Sequence, residues 1–373
     1  MKKTLFALAC AAVTLCACDK EEAPKPIGTV ETPFTGTVMA GVPESVKVTG
    51  TGFQATDSLY LAWAGGAEGV EAYTIADTEI TFGVDAYSAA KGKAVKAYLY
   101  REGQTLELTG EFNVTAPTVA DGFIPDKALL DALWAHNGDV REMIGPCRLL
   151  DVEAAAALVK DTQCDNEWGL LAIDGNGATS WEGLELFASL GQGLKTMEDQ
   201  EYGNFICWGS GEIEEIDFSN WNAYVQVRAA SCAKLKKVIL GPNMKGGDFS
   251  GSPVEYFDMH LCKGADWVMN IGNVDAATYP DYQGLKYANF ARTYVAGGSY
   301  GVDFNHWLGS GNVKDIKFAP DAEIHIDSEL LSKAWTAGNV WEAMFNAYKA
   351  GATVIVHDVA NYEQTQTLPP YTE

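Results

Sequence analysis

Five times between residues 213 and 318 the chain repeats one apolar phrase, a hydrophobic residue followed by others three and five positions on. The copies are Ile213-x-x-Ile216-x-Phe218, Leu235-x-x-Val238-x-Leu240, Val254-x-x-Phe257-x-Met259, Leu285-x-x-Ala288-x-Phe290 and Val313-x-x-Ile316-x-Phe318. Their starts lie 22, 19, 31 and 28 residues apart. The closing alternation suits a short strand with one buried face, and the leading apolar residue closes a layer of the same core. Units this small cannot bury their own apolar faces, so they must stack on neighbours. The first and last copies each follow a Trp and a Gly-Ser-Gly, in "ICWGSGEIEEIDFSNW" (206–221) and "HWLGSGNVKDIKFAP" (306–320). Recurrence makes these glycines a bend into a strand and not a phosphate cradle.

Residues 27–115 follow a different rule. "SVKVTGTGF", "DSLYLAW", "TEITFGV", "KAVKAYLY" and "GEFNV" alternate or run apolar at the spacing of short paired strands, with nothing between them long enough for an amphipathic helix. The glycine turn and Phe of "VTGTGFQATDSLYL", with the later "TEITFGV" and "LTGEFNV", resemble the IPT/TIG family of immunoglobulin-like domains. That resemblance implies a β-sandwich serving as a spacer or stacking module.

After a junction at "APTVADGFIPDK" (116–127), helical patterns appear at 126–134 and at 151–159, the second with Asp151 placed to cap it. The run from "FIPDKALLDAL" through "DVEAAAALV", "TSWEGLELFASL", "IEEIDFSN" and "CAKLKKVIL" resembles the BspA-like branch of the leucine-rich repeats, with its helical N-terminal cap. The period is irregular and the Asn ladder of that family is missing. The expected fold is therefore multidomain: an all-β Ig-like sandwich (27–115) followed by an irregular α/β leucine-rich-repeat solenoid (116–373). The solenoid would have a helical cap at 124–160 and a helix-strand cap at 329–359, where Val354 and Val356 suggest a last strand. The tail "NYEQTQTLPPYTE" is expected to be loose.

The first residues carry an address. "MKKTLFALACAAVTLCACDKEE" has Lys2 and Lys3, then an apolar run too short to span a bilayer, as an export signal has. Leu15-Cys16-Ala17-Cys18 resembles the bacterial lipobox, which implies a signal peptide over 1–17 and an acylated Cys18. The acidic tether at 18–26 looks like the tag that sends some Gram-negative lipoproteins to the outer face of the outer membrane. Five cysteines remain beyond it, Cys147, Cys164, Cys207, Cys232 and Cys262, an odd number with no CxxC pair. Buried free thiols are the expected state for most of them.

With 50 acidic residues against 26 basic ones the formal charge is −24, a surface that repels phosphate backbones, so no nucleic-acid partner is expected. "GGSYG" (297–301) places Ser299 in a GxSxG, with Asp327 and His357 following in hydrolase order, but "YGVDFNHWLGSG" is not the helix a nucleophile elbow requires. Five scattered histidines and "DGNGATSWE" (174–182) fit neither zinc nor EF-hand spacing, so no metal, cofactor or catalytic residue is assigned. Aromatic residues are the better candidates for ligand contact: Trp208, Trp221, Trp267, Tyr282, Tyr300 and Trp307, whose rings can stack on sugars or anchor a protein partner. Whether Trp208 and Trp307 face the core or the surface stays open at this level. The expected function is a non-catalytic, lipid-anchored surface protein that captures an extracellular protein or glycan through its repeats. A glycan-binding accessory of a polysaccharide uptake system is the alternative, and a secreted hydrolase the third.

Overall fold

Strands with period-two burial pair by short turns in the first part of the chain. The strands are β1 (Thr29–Thr32), β2 (Phe34–Met39), β3 (Val46–Thr51), β4 (Ser58–Trp63), β5 (Gly66–Gly69), β6 (Tyr73–Ala76), β7 (Glu79–Phe82), β8 (Lys93–Arg101), β9 (Gln104–Glu107) and β10 (Thr109–Thr115). The structure, a computed structural model, describes residues 26–136, 138–162, 171, 173, 177–193, 203–206, 211–244, 246–262, 267–269, 271, 274–291, 316–328, 331 and 342–372. One sheet has the order β1-β3-β7-β6 and is antiparallel throughout. The other runs β2-β10-β8-β4-β5 with β9 on β8, and its β2–β10 pair is parallel. Val46 and Val48 of β3, and Val95, Ala97 and Leu99 of β8, point into one hydrophobic cluster formed within 27–114.

Three short helices follow: α1 (Lys127–His136), α2 (Gly138–Met143) and α3 (Val152–Ala157). Asp151 caps α3, its carboxylate accepting from the Ala154 amide at 3.0 Å. Asp126 does the same for α1 and also accepts from the amide and hydroxyl of Thr179, at 2.6 and 2.8 Å.

The chain then alternates between two parallel sheets. One holds β11 (Gly203–Ile206), β13 (Val225–Arg228), β15 (Gly246–Asp248) and β17 (Trp267–Met269). The other holds β12 (Glu215–Asp217), β14 (Lys237–Ile239), β16 (Tyr256–Asp258), β18 (Leu285–Asn289), β19 (Phe318–Asp327), β20 (Thr353–His357) and β21 (Thr365–Thr367) in that spatial order. Parallel neighbours cannot be joined by a hairpin, so each return crosses through the opposite sheet or a loop. Ile216, Val238, Phe257, Ala288, Ile324 and Val354 stand in register and are buried, forming the central row of a second hydrophobic cluster that spans 124–356.

The fifth copy of the apolar phrase enters the ladder differently from expectation. Phe318 pairs with Leu285, a register shift follows, and Ile324 arrives opposite Ala288. Ala322, Ile324 and Ile326 are all buried, so strict period-two alternation wins over the Ile316/Phe318 pattern; Val313 lies outside the described residues.

The tail is not loose. β21 pairs antiparallel with β20, and Leu368 donates its amide to Val354 at 2.9 Å. The Tyr348 hydroxyl of α4 (Glu342–Ala350) bonds the Pro369 carbonyl, and its ring meets Tyr371 edge-on. An unpaired β20 would leave an open sheet edge, which the antiparallel tail closes.

The two clusters meet at a tight seam. Ala86 donates its amide to the Cys147 carbonyl at 2.9 Å, and the Tyr87 hydroxyl bonds the Ile124 carbonyl. A Cβ on Gly83 would lie 2.5 Å from the Cys147 sulfur, so only glycine allows this approach.

Candidate functional site

Residues flanking the buried central row point to the opposite face of the seven-stranded sheet, because side chains alternate along each strand. The outer rows are therefore built from equal positions of successive strands. One row places Glu215, Lys237, Tyr256, Tyr287, Glu323 and Thr353 side by side. The next places Asp217, Ile239, Asp258, Asn289, His325 and Ile355 side by side.

Contacts run along these rows. The Lys237 ammonium pairs with Glu215 and lies 5.7 Å from the Tyr256 ring centre. Tyr256 and Tyr287 stack with centroids 4.2 Å apart and planes within 4°. Tyr287 leans on His325 at 5.0 Å. Just outside the rows, Glu255 bridges Lys236 at 3.0 Å and Lys286 at 2.6 Å. Burial pushes the Glu255 carboxyl up, but the hydrogen bonds from those lysines outweigh it and hold the group below the usual carboxylate range. Burial raises both phenols, Tyr256 and Tyr287, and the Asp258 charge adds to the effect.

The two ends of this face differ. At the β12 end, Glu215 and Asp217 join Glu182 and Glu185 around a cavity of about 420 Å³ that also touches Trp181 and Phe218. Trp181 and Phe218 stack at 5.6 Å beneath it. At the β20 end lie three histidines. The Asp258 carboxylate accepts from His260 Nδ1 at 2.6 Å, His325 contacts Glu323 at 2.8 Å, and His325 Nδ1 meets His357 Nε2 at 2.7 Å. The Tyr362 ring lies between His260 and His357, near-parallel to both, at 5.0 and 4.1 Å. Asn289, 1% exposed, donates to the Tyr362 hydroxyl at 2.8 Å.

The aromatic residues expected from sequence sit elsewhere. Trp221 is 1% exposed and donates its indole N–H to the Phe187 carbonyl at 3.1 Å, so it packs the core and presents no free face. Tyr282, 6% exposed, spends its hydroxyl on the Val254 carbonyl at 2.6 Å. In both, one polar atom is satisfied by a backbone carbonyl while the ring fills the space between turns of chain. Trp267 begins β17. Trp208, Tyr300 and Trp307 lie outside the described residues, as do Cys18 and Ser299. Asp327 and His357 stand opposite each other on β19 and β20. Cys147 and Cys262 are buried free thiols, Cys232 is buried as well, and Cys164 and Cys207 lie outside the described residues. Among the described residues no three His, Cys, Asp or Glu side chains could hold a metal, and no helix is long and apolar enough to cross a membrane.

Sequence reasoning passed over Tyr256, Tyr287, His260, His325 and Tyr362. The signal was present in the x positions of each apolar phrase. Read down as a column, the residue before the central apolar one gives Glu215, Lys237, Tyr256 and Tyr287.

No family model matches this chain, and no curated protein matches it. A solved DUF4784 family protein from Bacteroides caccae is similar over 24% of this chain and 23% of its own length, with 20% identity and a TM-score of 0.19. The likeness thus spans under a quarter of that protein.

Proposed function

We propose that this chain is a non-catalytic binding lipoprotein, held on an outer membrane by acyl groups at Cys18, with an Ig-like spacer at 27–115. In this reading 116–373 forms a leucine-rich-repeat solenoid that captures an extracellular protein or glycan on the open face of its ladder. The observation that carries it is the Lys237–Tyr256–Tyr287 row. Tyrosines stacked on one another cover each other's faces and offer their edges, while the Tyr287 hydroxyl accepts from Asn289 at 3.3 Å. Such edges suit hydrogen bonding to a protein surface better than flat stacking on a sugar ring.

The test is a binding screen against extracellular proteins and a glycan array, repeated with Tyr256→Ala/Tyr287→Ala. Loss of a hot spot costs about 2 kcal/mol, roughly thirtyfold in Kd, with little change in folding. Equal binding by the double variant, or turnover of an ester or glycoside, overturns the reading. The alternative, glycan capture as an accessory of polysaccharide uptake, draws on Tyr60, Tyr98 and Tyr100 of the first part of the chain. Tyr60 and Tyr98 stack at 5.3 Å on an outer sheet face, and Tyr100 beside them is 39% exposed. Glycan binding lost in Tyr100→Ala and kept in the ladder variant would move the function there.

A further inference from the structure

The cavity at the β12 end of the open face has walls from two stretches of chain. One is the loop 179–182 with the single turn Leu184–Leu186, and the other is β12 with the residues that follow it. Asp126 fixes the first wall, accepting from the Thr179 amide and hydroxyl and from the Ser180 amide at 3.1 Å. The Ser180 hydroxyl accepts from the Glu182 amide at 3.1 Å, and Glu185 accepts from the Gly183 amide at 2.7 Å. On the second wall Asp217 accepts from the Ser219 amide at 2.9 Å. These bonds engage one oxygen of Glu185 and one of Asp217, orienting both carboxylates without neutralising them.

The charge around the cavity is one-sided. Its lining holds Glu182, Glu185, Glu215 and Asp217 and no lysine or arginine. Lys237, beside it, pairs with Glu215 and also feels the Asp217 charge, so it offsets one of these carboxylates. A volume of about 420 Å³ falls within the ~300–1,000 Å³ of small-ligand sites.

Geometry then chooses among ligands. No three of these side chains converge where they could hold a metal ion, so the site suits a cation that spreads its charge and its donors. The floor offers no free ring face to a sugar: Trp181, Phe218 and Trp221 are 4%, 3% and 1% exposed. Trp181 and Phe218 stack on each other, and Phe218 meets Trp221 edge-on at 4.9 Å. What they leave is a small apolar surface fit for a methylene stem with a charged head.

We propose that this cavity receives an arginine side chain, with its stem against Trp181 and Phe218 and its guanidinium among Glu182, Glu185 and Asp217. A guanidinium carries its N–H donors in a fixed planar fork that reaches separated carboxylates, whereas an ammonium is a point charge. That the arginine belongs to an extracellular protein captured on the same face rests on the binding function proposed above. The affinity for guanidinium does not.

Calorimetric titration of the full chain at low salt with acetyl-Gly-Arg-Gly-amide tests this, beside the citrulline and lysine versions of the peptide. Citrulline keeps the shape of arginine without its charge. The arginine peptide is expected to bind about tenfold more tightly than either. Glu182→Gln/Glu185→Gln keeps an acceptor for the Gly183 amide and should weaken binding about tenfold with unchanged urea unfolding. Equal affinity for the lysine or citrulline peptide, or undiminished binding by the double variant, overturns the proposal. Should the variant fold poorly, amide shifts of the wild type decide. Shifts caused by the arginine peptide must centre on 180–185 and 215–218, and shifts centred elsewhere refute the site. Tyr256→Ala/Tyr287→Ala should bind the peptide as the wild type does, so the capture reading can fail while the cavity stands. Loss of the peptide in that variant would place the arginine on the tyrosine row and overturn the assignment.

Discussion

The two strand-rich parts of this molecule solve the pairing problem at different distances along the chain. Between 27 and 115 most neighbours are antiparallel, and some close through a tight turn, as when Arg101 pairs with Gln104 between β8 and β9. Beyond 203, the parallel neighbours stand a whole circuit apart: Glu215 meets Lys237, Lys237 meets Tyr256, and Tyr256 meets Tyr287. In the first part a residue's environment is decided by its own strand and the turn beside it. In the second it is decided by the residue at the same position of the previous circuit. The ion pairs show this directly. Glu212–Lys234, Glu215–Lys237, Lys236–Glu255 and Glu255–Lys286 each join equivalent places on successive circuits. Exposed pairs of this kind add only about 0–1 kcal/mol each, so they bias register more than they stabilise. A column in the sequence becomes a row on the surface, which is how a binding face can be assembled from residues no local motif connects.

A matched pair of core truncations separates the two parts most strongly. Phe257, fully buried, contacts Phe249 and Phe290 at 5.8 and 6.0 Å across the second cluster, and Phe82 is equally buried in the first. Each Phe→Ala change is expected to cost about 3–5 kcal/mol. In exchange experiments Phe257→Ala should loosen β14, β16 and β18 while β3 and β8 keep their protection, and Phe82→Ala should do the reverse. A single transition lowered equally by both would make the whole chain one cooperative unit.

A smaller effect is expected from the ion pair that belongs to the antiparallel part alone. Arg101 grips Asp57, whose carboxylate is wholly buried, and also donates to the Gly52 carbonyl at 2.9 Å. Arg101→Ala leaves those acceptors short of a donor, a cost of about 1–3 kcal/mol that urea unfolding would register. No comparable loss should follow Lys234→Ala, whose partner Glu212 is exposed.

The smallest effect probes the start of α1, where Asp126 also holds Thr179. Burial pushes the Asp126 carboxyl up, but the hydrogen bonds from Thr179, Leu129 and Ala128 outweigh it and hold the group below its ordinary value. The cap is therefore at full strength above the ordinary aspartate range and is lost as pH falls through the depressed value. Asp126→Asn should cost about 1 kcal/mol near neutral pH and flatten the acid limb of the unfolding curve below about pH 4. An unchanged acid limb would show that the carboxylate does not link α1 to residues 179–180 energetically.

Much of the local structure was legible. Period-two runs marked β3, β4, β7, β8 and β10, and Asp151 announced its helix by its position before an apolar run. The apolar phrase marked β12, β14, β16 and β18 because each copy must bury the same face. The second parallel sheet was not legible. Its strands include "GGD" of β15, which has no apolar alternation to detect and pairs only through backbone. Nor was the site legible from aromatic content. Trp221 and Tyr282 carry the residue types of a binding face, but their polar atoms find backbone carbonyls inside the core.

Residue spacing alone sets which side chains go inside, because burial of apolar side chains depends on a pattern that any short window displays. It also wrote the outer rows, as a column of x positions whose meaning needs the register. Only the tertiary structure decided that register: that β19 shifts to bring Ile324 opposite Ala288, that Tyr256 lands on Tyr287, and that a polar tail folds back to place Tyr362 between two histidines. These contacts join residues tens of positions apart through backbone pairing between strands, and pairing between strands is a property of the whole ladder that no single segment encodes.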